Sequence, residues 1–137
     1  MDRIIQQCLR KGEFIKALNL LKNLNKKETE NLSVFFYLGK IYFELNDHKN
    51  SIFYFRKCNQ INPGNRKILQ NLAQVLQGLG RVDEAKKIYE KLIKKNPNDV
   101  LSYYGIFNLD IKHIDINYFE KLQNLLNESK IDIFSKS

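Results

Sequence analysis

Long apolar runs and cysteine are scarce in this chain of 137 residues, and each scarcity excludes a class of protein. The longest uninterrupted apolar stretch, residues 34–38, is far shorter than the roughly 20 residues that a membrane-spanning helix needs. Charged residues interrupt the first eleven positions, so we expect no secretory signal segment. Cys8 and Cys58 alone cannot form a disulfide framework. These features predict a reducing, cytoplasmic setting and no membrane partner.

Positive charge is in excess, with 23 lysine and arginine residues against 15 acidic ones and a formal net charge of +8. Such an excess favours nucleic-acid binding when it accompanies a readable binding motif. No zinc-finger, helix-turn-helix or aromatic RNA-binding signature is present, and the abundance of lysine, asparagine and isoleucine matches an A/T-rich codon bias. The sequence therefore predicts a solvated basic surface and no nucleic-acid partner. RNA binding through lysine-rich helices stays as an alternative.

Comparison of the sequence with itself gives one dominant period of 34 residues, the spacing from Gly12 to Asn46. Turn-forming residues share one column of this repeat, small residues share a second, and large apolar residues share three more. The columns are Gly12, Asn46, Gly80; Ala17, Ser51, Ala85; Leu21, Phe55, Tyr89; Leu24, Cys58, Leu92; and Ile4, Leu38, Leu72, Ile106. Agreement of size and type over so many columns indicates a structural repeat.

Each period has the pattern of two amphipathic helices joined by a turn. Apolar residues recur at steps of three and four between Leu32 and Leu45, which predicts the first helix of a pair. Second helices are predicted over about residues 49–61, 82–95 and 117–129. Pro63 and Pro97 lie just beyond the ends of two of them, where proline no longer interrupts a helix.

The best-defined unit resembles the tetratricopeptide repeat, whose pattern is a bulky aromatic residue followed by Leu-Gly, Tyr, a small residue, Phe and Pro. The matching residues are Phe35, Leu38, Gly39, Tyr42, Ser51, Phe55 and Pro63. The next unit matches with conservative changes at Leu69, Leu72, Ala73, Leu76, Ala85, Tyr89 and Pro97. In the first unit, Thr29 replaces the expected proline, and in the fourth, Asp110 stands where Tyr42 and Leu76 stand before it.

The resemblance implies an all-α fold, an α-solenoid of antiparallel helix pairs that stack into a right-handed superhelix. It covers about 130 residues and weakens toward both ends, as expected of terminal units. We expect a single domain over 1–137, divided at about 1–31, 32–65 and 66–99, with a divergent helix pair at 100–130 and a tail at 131–137.

In this family the first helices line a concave groove that holds a peptide or helix of a protein partner, and the resemblance implies the same here. Groove-facing residues alternate with the core stripe, so we expect them to be exposed. The principal candidates are Phe36, Lys40, Phe43, Lys67, Gln70, Asn71, Gln74, Gln77, Tyr104 and Asn108, with Ser33 and Leu101 beside them. Amides suit a peptide backbone, and aromatic rings supply rigid anchoring surface. A chaperone-type carboxylate clamp is not expected, because its later basic positions fall on Leu101 and Gly105.

No catalytic, cofactor or metal motif accompanies the repeat. Gly78 and Gly80 lack the Lys-Ser/Thr that completes a phosphate-binding loop. Cys8 and Cys58 occupy apolar columns and are interpreted as core residues. The turn containing Asp110, His113 and Asp115 is interpreted as a polar turn that caps the last helix rather than a metal site. The sequence predicts no enzyme, no cofactor and no metal.

Two functions of different classes remain open at this point. The first is a protein–protein interaction scaffold that binds a segment of its partner in the groove. The second is the N-terminal docking or regulatory part of a larger bacterial sulfotransferase- or glycosyltransferase-like protein, because residues 103–129 resemble the divergent pair that follows the repeats in sulfotransferase-type chains. Self-association through the terminal helices is a further prediction, based on the apolar residues Ile131, Ile133 and Phe134.

Overall fold

The computed structural model describes residues 2–27, 31–109 and 116–135, and within these ranges the chain is α-helical without a strand. The prediction of an all-α chain is therefore confirmed for this part of the sequence. The helices, in chain order, are α1 (Asp2–Lys11), α2 (Phe14–Lys27), α3 (Leu32–Glu44), α4 (His48–Ile61), α5 (Arg66–Gly78), α6 (Val82–Lys95), α7 (Val100–Leu109) and α8 (Ile116–Ser135).

The helices separate into two compact units. Unit 1 is Met1–Leu79 and contains α1 to α5, whereas unit 2 is Gly80–Ser137 and contains α6 to α8. The expected division of a single domain into three repeats and a divergent pair stays a prediction.

The turn column of the repeat marks the ends of the first helices. Gly12, Asn46 and Gly80 follow α1, α3 and α5, and their φ angles are 74°, 61° and 77°. Positive φ is costly for most side chains, whereas glycine adopts it freely and asparagine is among the residues that tolerate it. The equal spacing of these three residues therefore arises from one backbone requirement repeated three times.

A further column of the repeat consists of polar residues at the starts of first helices, and it was not predicted from the sequence. Asn31, Asn65 and Asp99 are separated by the same repeat period, and each is followed by a helix. In each case the side-chain Oδ1 accepts a hydrogen bond from the backbone N–H three residues further on, at 3.1, 3.2 and 3.3 Å. This is the bonding of an N-cap, which satisfies a donor that the helix itself leaves free.

The core of unit 1 forms where α3 and α4 pack face to face. Leu38, Ile41 and Phe55 are almost fully buried there. The ring of Phe55 lies against the backbone of Gly39, so that a Cβ atom on Gly39 would come within 2.8 Å of it. The glycine of the repeat pattern is thus a packing requirement at this crossing.

Unit 2 is built on α6 and α7, with α8 packed on α7. Tyr89, Leu92 and Ile106 are buried in it. Tyr103 contacts Tyr118 of α8 edge to face, with ring centroids 5.8 Å apart. The Tyr103 hydroxyl donates a hydrogen bond of 3.0 Å to the carbonyl of Pro97, which fixes the start of α7 against the preceding turn.

Helix boundaries agree with the sequence at two of the second helices and differ at the last. Predicted residues 82–95 coincide with α6, and 49–61 begins one residue after the start of α4. The last helix, α8, continues to Ser135, beyond the predicted end at 129. Its sequence contains no proline or glycine to end it, so the apolar stretch assigned to a tail is largely helical.

One member of the apolar columns was assigned wrongly. Ile4 is 49% exposed, whereas Leu38, Leu72 and Ile106 in the same column are buried. The neighbouring Ile5 is buried instead, together with Cys8 one turn further on. Ile5 shares its column with Gly39 and Ala73, and Cys8 shares its column with Leu76, all of which are buried. The first helix therefore keeps the repeat register, and Ile4 itself is left exposed.

Candidate groove in unit 1

The first helices of unit 1 form a concave surface with a cavity of about 520 Å³. We call it the basic cavity. Its polar lining is Gln6, Arg10, Ser33, Lys40, Asn62, Asn65 and Lys67, and its apolar lining is Leu9, Leu32, Phe36, Tyr37 and Ile68. These residues belong to α1, α3, α5 and the turn before α5. The volume falls within the range of ligand pockets in proteins, about 300–1,000 Å³.

Phe36 is a half-buried aromatic residue in the lining of this cavity. Its ring meets the buried ring of Phe55 edge to face, with centroids 5.7 Å apart. Because Phe55 is itself held against Gly39, the position of Phe36 depends on the core of unit 1 rather than on the surface. The cavity therefore has a rigid apolar floor.

Two lysines bring positive charge to that ring. The Nζ atom of Lys40 is 5.7 Å from the centroid of Phe36, and the Nζ atom of Lys67 is 5.4 Å from it. Both distances are within the range of a cation–π contact. Arg10 adds a third cation, and neither aspartate nor glutamate lines the cavity. The arrangement favours a negatively charged ligand group.

Gln6 and Tyr37 join α1 to α3 beside the cavity. The side-chain amide of Gln6 donates a hydrogen bond of 3.1 Å to the Tyr37 hydroxyl. Neither residue was predicted to line the groove, although their positions in the repeat indicate it. Gln6 precedes Lys40 by one repeat period, and Tyr37 precedes Asn71 by the same interval, so each shares a column with a residue that was predicted.

A second cavity of about 150 Å³ lies between α3 and α5. Its lining is Lys40, Phe43, Glu44, Phe55, Asn71, Gln74 and Val75. Lys40 lines both cavities, so the two lie side by side on one face of unit 1. We call the surface formed by the two cavities the groove face.

Six of the ten predicted groove residues line these cavities, namely Phe36, Lys40, Phe43, Lys67, Asn71 and Gln74. Lys67 and Gln74 are exposed, and the other four are half-buried. The prediction of exposure was incomplete because the aromatic rings pack on their neighbours. Phe43, for example, contacts the ring of His48 on α4, with centroids 5.6 Å apart.

The remaining four predicted residues do not line either cavity. Gln70 and Gln77 are half-buried on α5. The side-chain nitrogen of Gln70 is buried and has no hydrogen-bond partner within the described residues, so this amide points away from solvent. Tyr104 and Asn108 are exposed on α7 and belong to unit 2.

The cysteines belong to the core rather than to a reactive site. Cys8 and Cys58 are both buried, which confirms their assignment as apolar core residues. Burial raises the pKa of the Cys58 thiol to about 12. A thiol with that pKa is protonated at neutral pH and is a poor nucleophile and metal ligand.

No cluster of three or more histidine, cysteine, aspartate or glutamate side chains suited to a metal ion occurs in residues 2–27, 31–109 and 116–135. The turn with Asp110, His113 and Asp115 lies outside these ranges. Over the same ranges, none of the helices combines the length and apolarity that crossing a lipid bilayer requires.

Comparison with protein families connects this fold to a known repeat. Residues 43–106 match the model of the family described as tetratricopeptide repeat. This stretch runs from the end of α3 into α7 and contains the whole of the predicted unit at 66–99. The match supports the resemblance inferred from the residues, whereas the resemblance of residues 103–129 to sulfotransferase-type chains is not supported.

Curated relatives share about a quarter to a third of their residues with the chain over the matched stretches. A tetratricopeptide-repeat-containing protein of Methanocaldococcus jannaschii is 30% identical over an alignment of 116 residues, and the match covers 68% of this chain and 20% of the relative. The CTR9 homologue of Arabidopsis thaliana is 29% identical over an alignment of 103 residues, with coverage of 72% of this chain and 9% of the relative. DnaJ homologue subfamily C member 3 of Mus musculus is 26% identical over an alignment of 124 residues, with coverage of 72% of this chain and 25% of the relative. The chain thus spans a quarter or less of the length of these relatives.

Solved structures show the fold. A crystal structure of MamA matches with a TM-score of 0.80 at 18% identity, over 96% of this chain and 77% of that one. A tetratricopeptide repeat protein from Parabacteroides merdae matches with a TM-score of 0.69 at 22% identity, over 97% and 49%. The prediction of an α-solenoid is confirmed by these matches.

Proposed function

We propose that the chain is a protein–protein interaction scaffold whose groove face binds a segment of a partner protein. The observation that carries the proposal is the pair of adjoining cavities on α1, α3 and α5, which share Lys40. Repeats of this family generally mediate protein–protein interaction, which supports the same role here. A peptide is a suitable occupant because the two cavities together offer apolar surface, amides and hydroxyls along one face.

The composition of the groove face supports binding without chemistry. Phe36 and Phe43 offer anchoring surface, and the side chains of Asn71 and Gln74 offer paired donors and acceptors. The Asn71 amide donates to the Lys67 carbonyl at 2.7 Å, which orients its oxygen and leaves that oxygen available as an acceptor. We therefore propose a non-enzymatic function.

The test is capture of a partner from a lysate of the source organism by the wild-type chain and by the variant Lys40→Glu/Asn71→Glu/Gln74→Glu. A matched control, Asn19→Glu/Lys49→Glu/Gln60→Glu, makes the same change in net charge at exposed positions on α2 and α4. We expect the wild type and the control to capture the same protein and the groove variant to lose it. Circular dichroism melts verify that both variants fold.

A photo-crosslinking arm locates the contact directly. Benzoylphenylalanine replaces either Phe36, in the basic cavity, or Phe53, an exposed aromatic residue of α4. Crosslinking of the captured protein at position 36 and not at position 53 is the expected result. Crosslinking only at position 53, or equal capture by all three chains, would move the binding surface away from the groove face.

The alternative function, a docking part of a larger transferase, stays a prediction. Self-association also stays a prediction, because the side chains of residues 131–134, on which it was based, lie outside the described set.

A further inference from the structure

We infer that the basic cavity selects an acidic segment of a protein, one that presents internal aspartate or glutamate side chains next to an aliphatic one. This inference rests on the proposed function and adds the chemical class of its ligand. The groups that recognise the carboxylates are the side chains of Arg10, Lys40 and Lys67.

Arg10, Lys40 and Lys67 form no ion pair with a carboxylate of the described residues, and all three line one cavity whose lining contains no acidic residue. Elsewhere, acidic residues three or four positions away pair with Lys16, Arg81 and Lys86, at 3.6, 2.6 and 3.8 Å. Around the basic cavity, no aspartate or glutamate is present to do so. Three like charges around one cavity repel each other, so a ligand carboxylate relieves that repulsion as well as forming ion pairs.

Phe36 holds two of the cations in place without neutralising them. The ring attracts the ammonium groups of Lys40 and Lys67 through its π face, at 5.7 and 5.4 Å. A cation–π contact leaves the formal charge and the N–H donors of an ammonium available. Because side-chain freedom is already reduced before the ligand arrives, less conformational entropy is lost on binding.

The rest of the lining favours a peptide over a nucleic acid. The apolar part of the lining includes Leu9, Leu32 and Ile68. An aliphatic side chain of a peptide can pack on these residues, whereas a phosphate backbone gains nothing from apolar contact. Beyond Lys40, the groove face continues into the second cavity, which carries the carboxylate of Glu44. A phosphate chain that continued along this face would meet that negative charge, whereas a peptide can place a neutral or basic residue there.

The first test selects ligands from a library of random dodecapeptides displayed inside a phage coat protein, with the complete chain as bait. Displayed in this way, the peptides have no free carboxyl terminus, so any acidity selected comes from side chains. We expect enriched sequences to contain more aspartate and glutamate than the input library. Enrichment without this excess, or no enrichment above background, would overturn the inference.

The second test measures the affinity of the enriched peptides by fluorescence anisotropy. Lys40→Gln/Lys67→Gln removes the two charges beside Phe36, and Lys49→Gln/Lys94→Gln removes two exposed charges on α4 and α6 as the control. We expect Kd to rise at least about tenfold for the first variant and less than about twofold for the control. Replacement of peptide Asp by Asn and Glu by Gln should weaken binding to the wild type to a similar extent.

Failure of this inference and failure of the proposed function are distinguishable. If neutral peptides are selected and the Lys40→Glu/Asn71→Glu/Gln74→Glu variant does not bind them, the groove face binds protein segments and the acidic preference is wrong. If a mixed-sequence RNA oligonucleotide binds more tightly than the peptides and competes with them at the same lysines, the ligand class inferred here is wrong.

Discussion

In unit 1 and in unit 2 an aromatic ring packs against a glycine of a first helix. The ring belongs to the helix after the glycine in unit 1 and to the helix before the glycine in unit 2. Phe55 and Tyr89 occupy the same column of the repeat. Phe55 reaches back to Gly39 on the preceding helix, α3, whereas Tyr89 reaches forward to Gly105 on the following helix, α7. The ring of this column therefore covers a glycine of its own helix pair in unit 1 and a glycine of the next pair in unit 2.

The small residue of the second helix also differs between the units. In unit 1 it is Ser51, whose hydroxyl donates a hydrogen bond of 2.6 Å to the carbonyl of Gly39. In unit 2 the same column holds Ala85, which is fully buried and has no polar side-chain atom. The comparison indicates that the position requires small volume in both units, and that the hydrogen bond of Ser51 is an addition that Ala85 cannot make.

The largest expected effect comes from breaking that shared requirement with Ala17→Arg and Ala85→Arg. Both alanines are fully buried, so each change forces a long charged side chain into a filled space. We expect each variant to lose several kcal/mol of unfolding free energy, on the order of a severe core substitution. Circular dichroism melts measure the loss, with Lys87→Arg at an exposed site of α6 as the control.

An unchanged melting midpoint for Ala85→Arg, with a large drop for Ala17→Arg, would show that the small column does not extend into unit 2. Similar drops in both would confirm that one steric rule holds in the two units.

Gly39→Ala and Gly105→Ala sharpen the comparison of the rings, with a smaller expected effect. A Cβ atom on Gly39 would lie 2.8 Å from the ring of Phe55, and one on Gly105 would overlap the ring of Tyr89. Overpacking of this kind costs about 1–3 kcal/mol, and the better helix propensity of alanine offsets up to about 1 kcal/mol. We expect a net loss for both variants in urea unfolding.

A double-mutant cycle identifies which ring is responsible. Phe55→Leu should rescue part of the Gly39→Ala loss, and Tyr89→Leu should do the same for Gly105→Ala. The crossed pairs, Gly39→Ala with Tyr89→Leu and Gly105→Ala with Phe55→Leu, should be additive. Rescue by a crossed pair would contradict the packing described for the two units.

The repeat period predicted most of the fold because it records backbone requirements. Gly12, Asn46 and Gly80 were recognised as turns from spacing alone, and each has the positive φ that explains its residue type. Ile4 was misplaced because the period shows which positions repeat, and not whether other side chains cover each of them. The close packing at Gly105 was not predicted, because the ring that packs against it belongs to the preceding helix and no local sequence pattern indicates that contact.

The groove face was harder to predict than the fold. Periodicity shows which side of a helix is not core, and together with the resemblance to the tetratricopeptide repeat it led to Lys40, Lys67 and Gln74. It gave no sign that two lysines from different helices would meet at the ring of Phe36, because that juxtaposition depends on how α3 and α5 pack. Arg10 was missed because groove candidates were named only on the first helices of the second, third and fourth units.

The smallest expected effect tests the hydrogen bond that distinguishes the two units. Ser51→Ala keeps the small volume and removes the donor to the Gly39 carbonyl, and Ala17 and Ala85 show that alanine fits this column. The carbonyl still has its helical partner, so the loss should be about 0.5–1.5 kcal/mol, the net contribution of one hydrogen bond. Urea midpoints at constant m value measure it, with Ser33→Ala at an exposed site of α3 as the control. A Ser51→Ala variant as stable as the wild type would mean that unit 1 and unit 2 differ at this column in composition but not in energy.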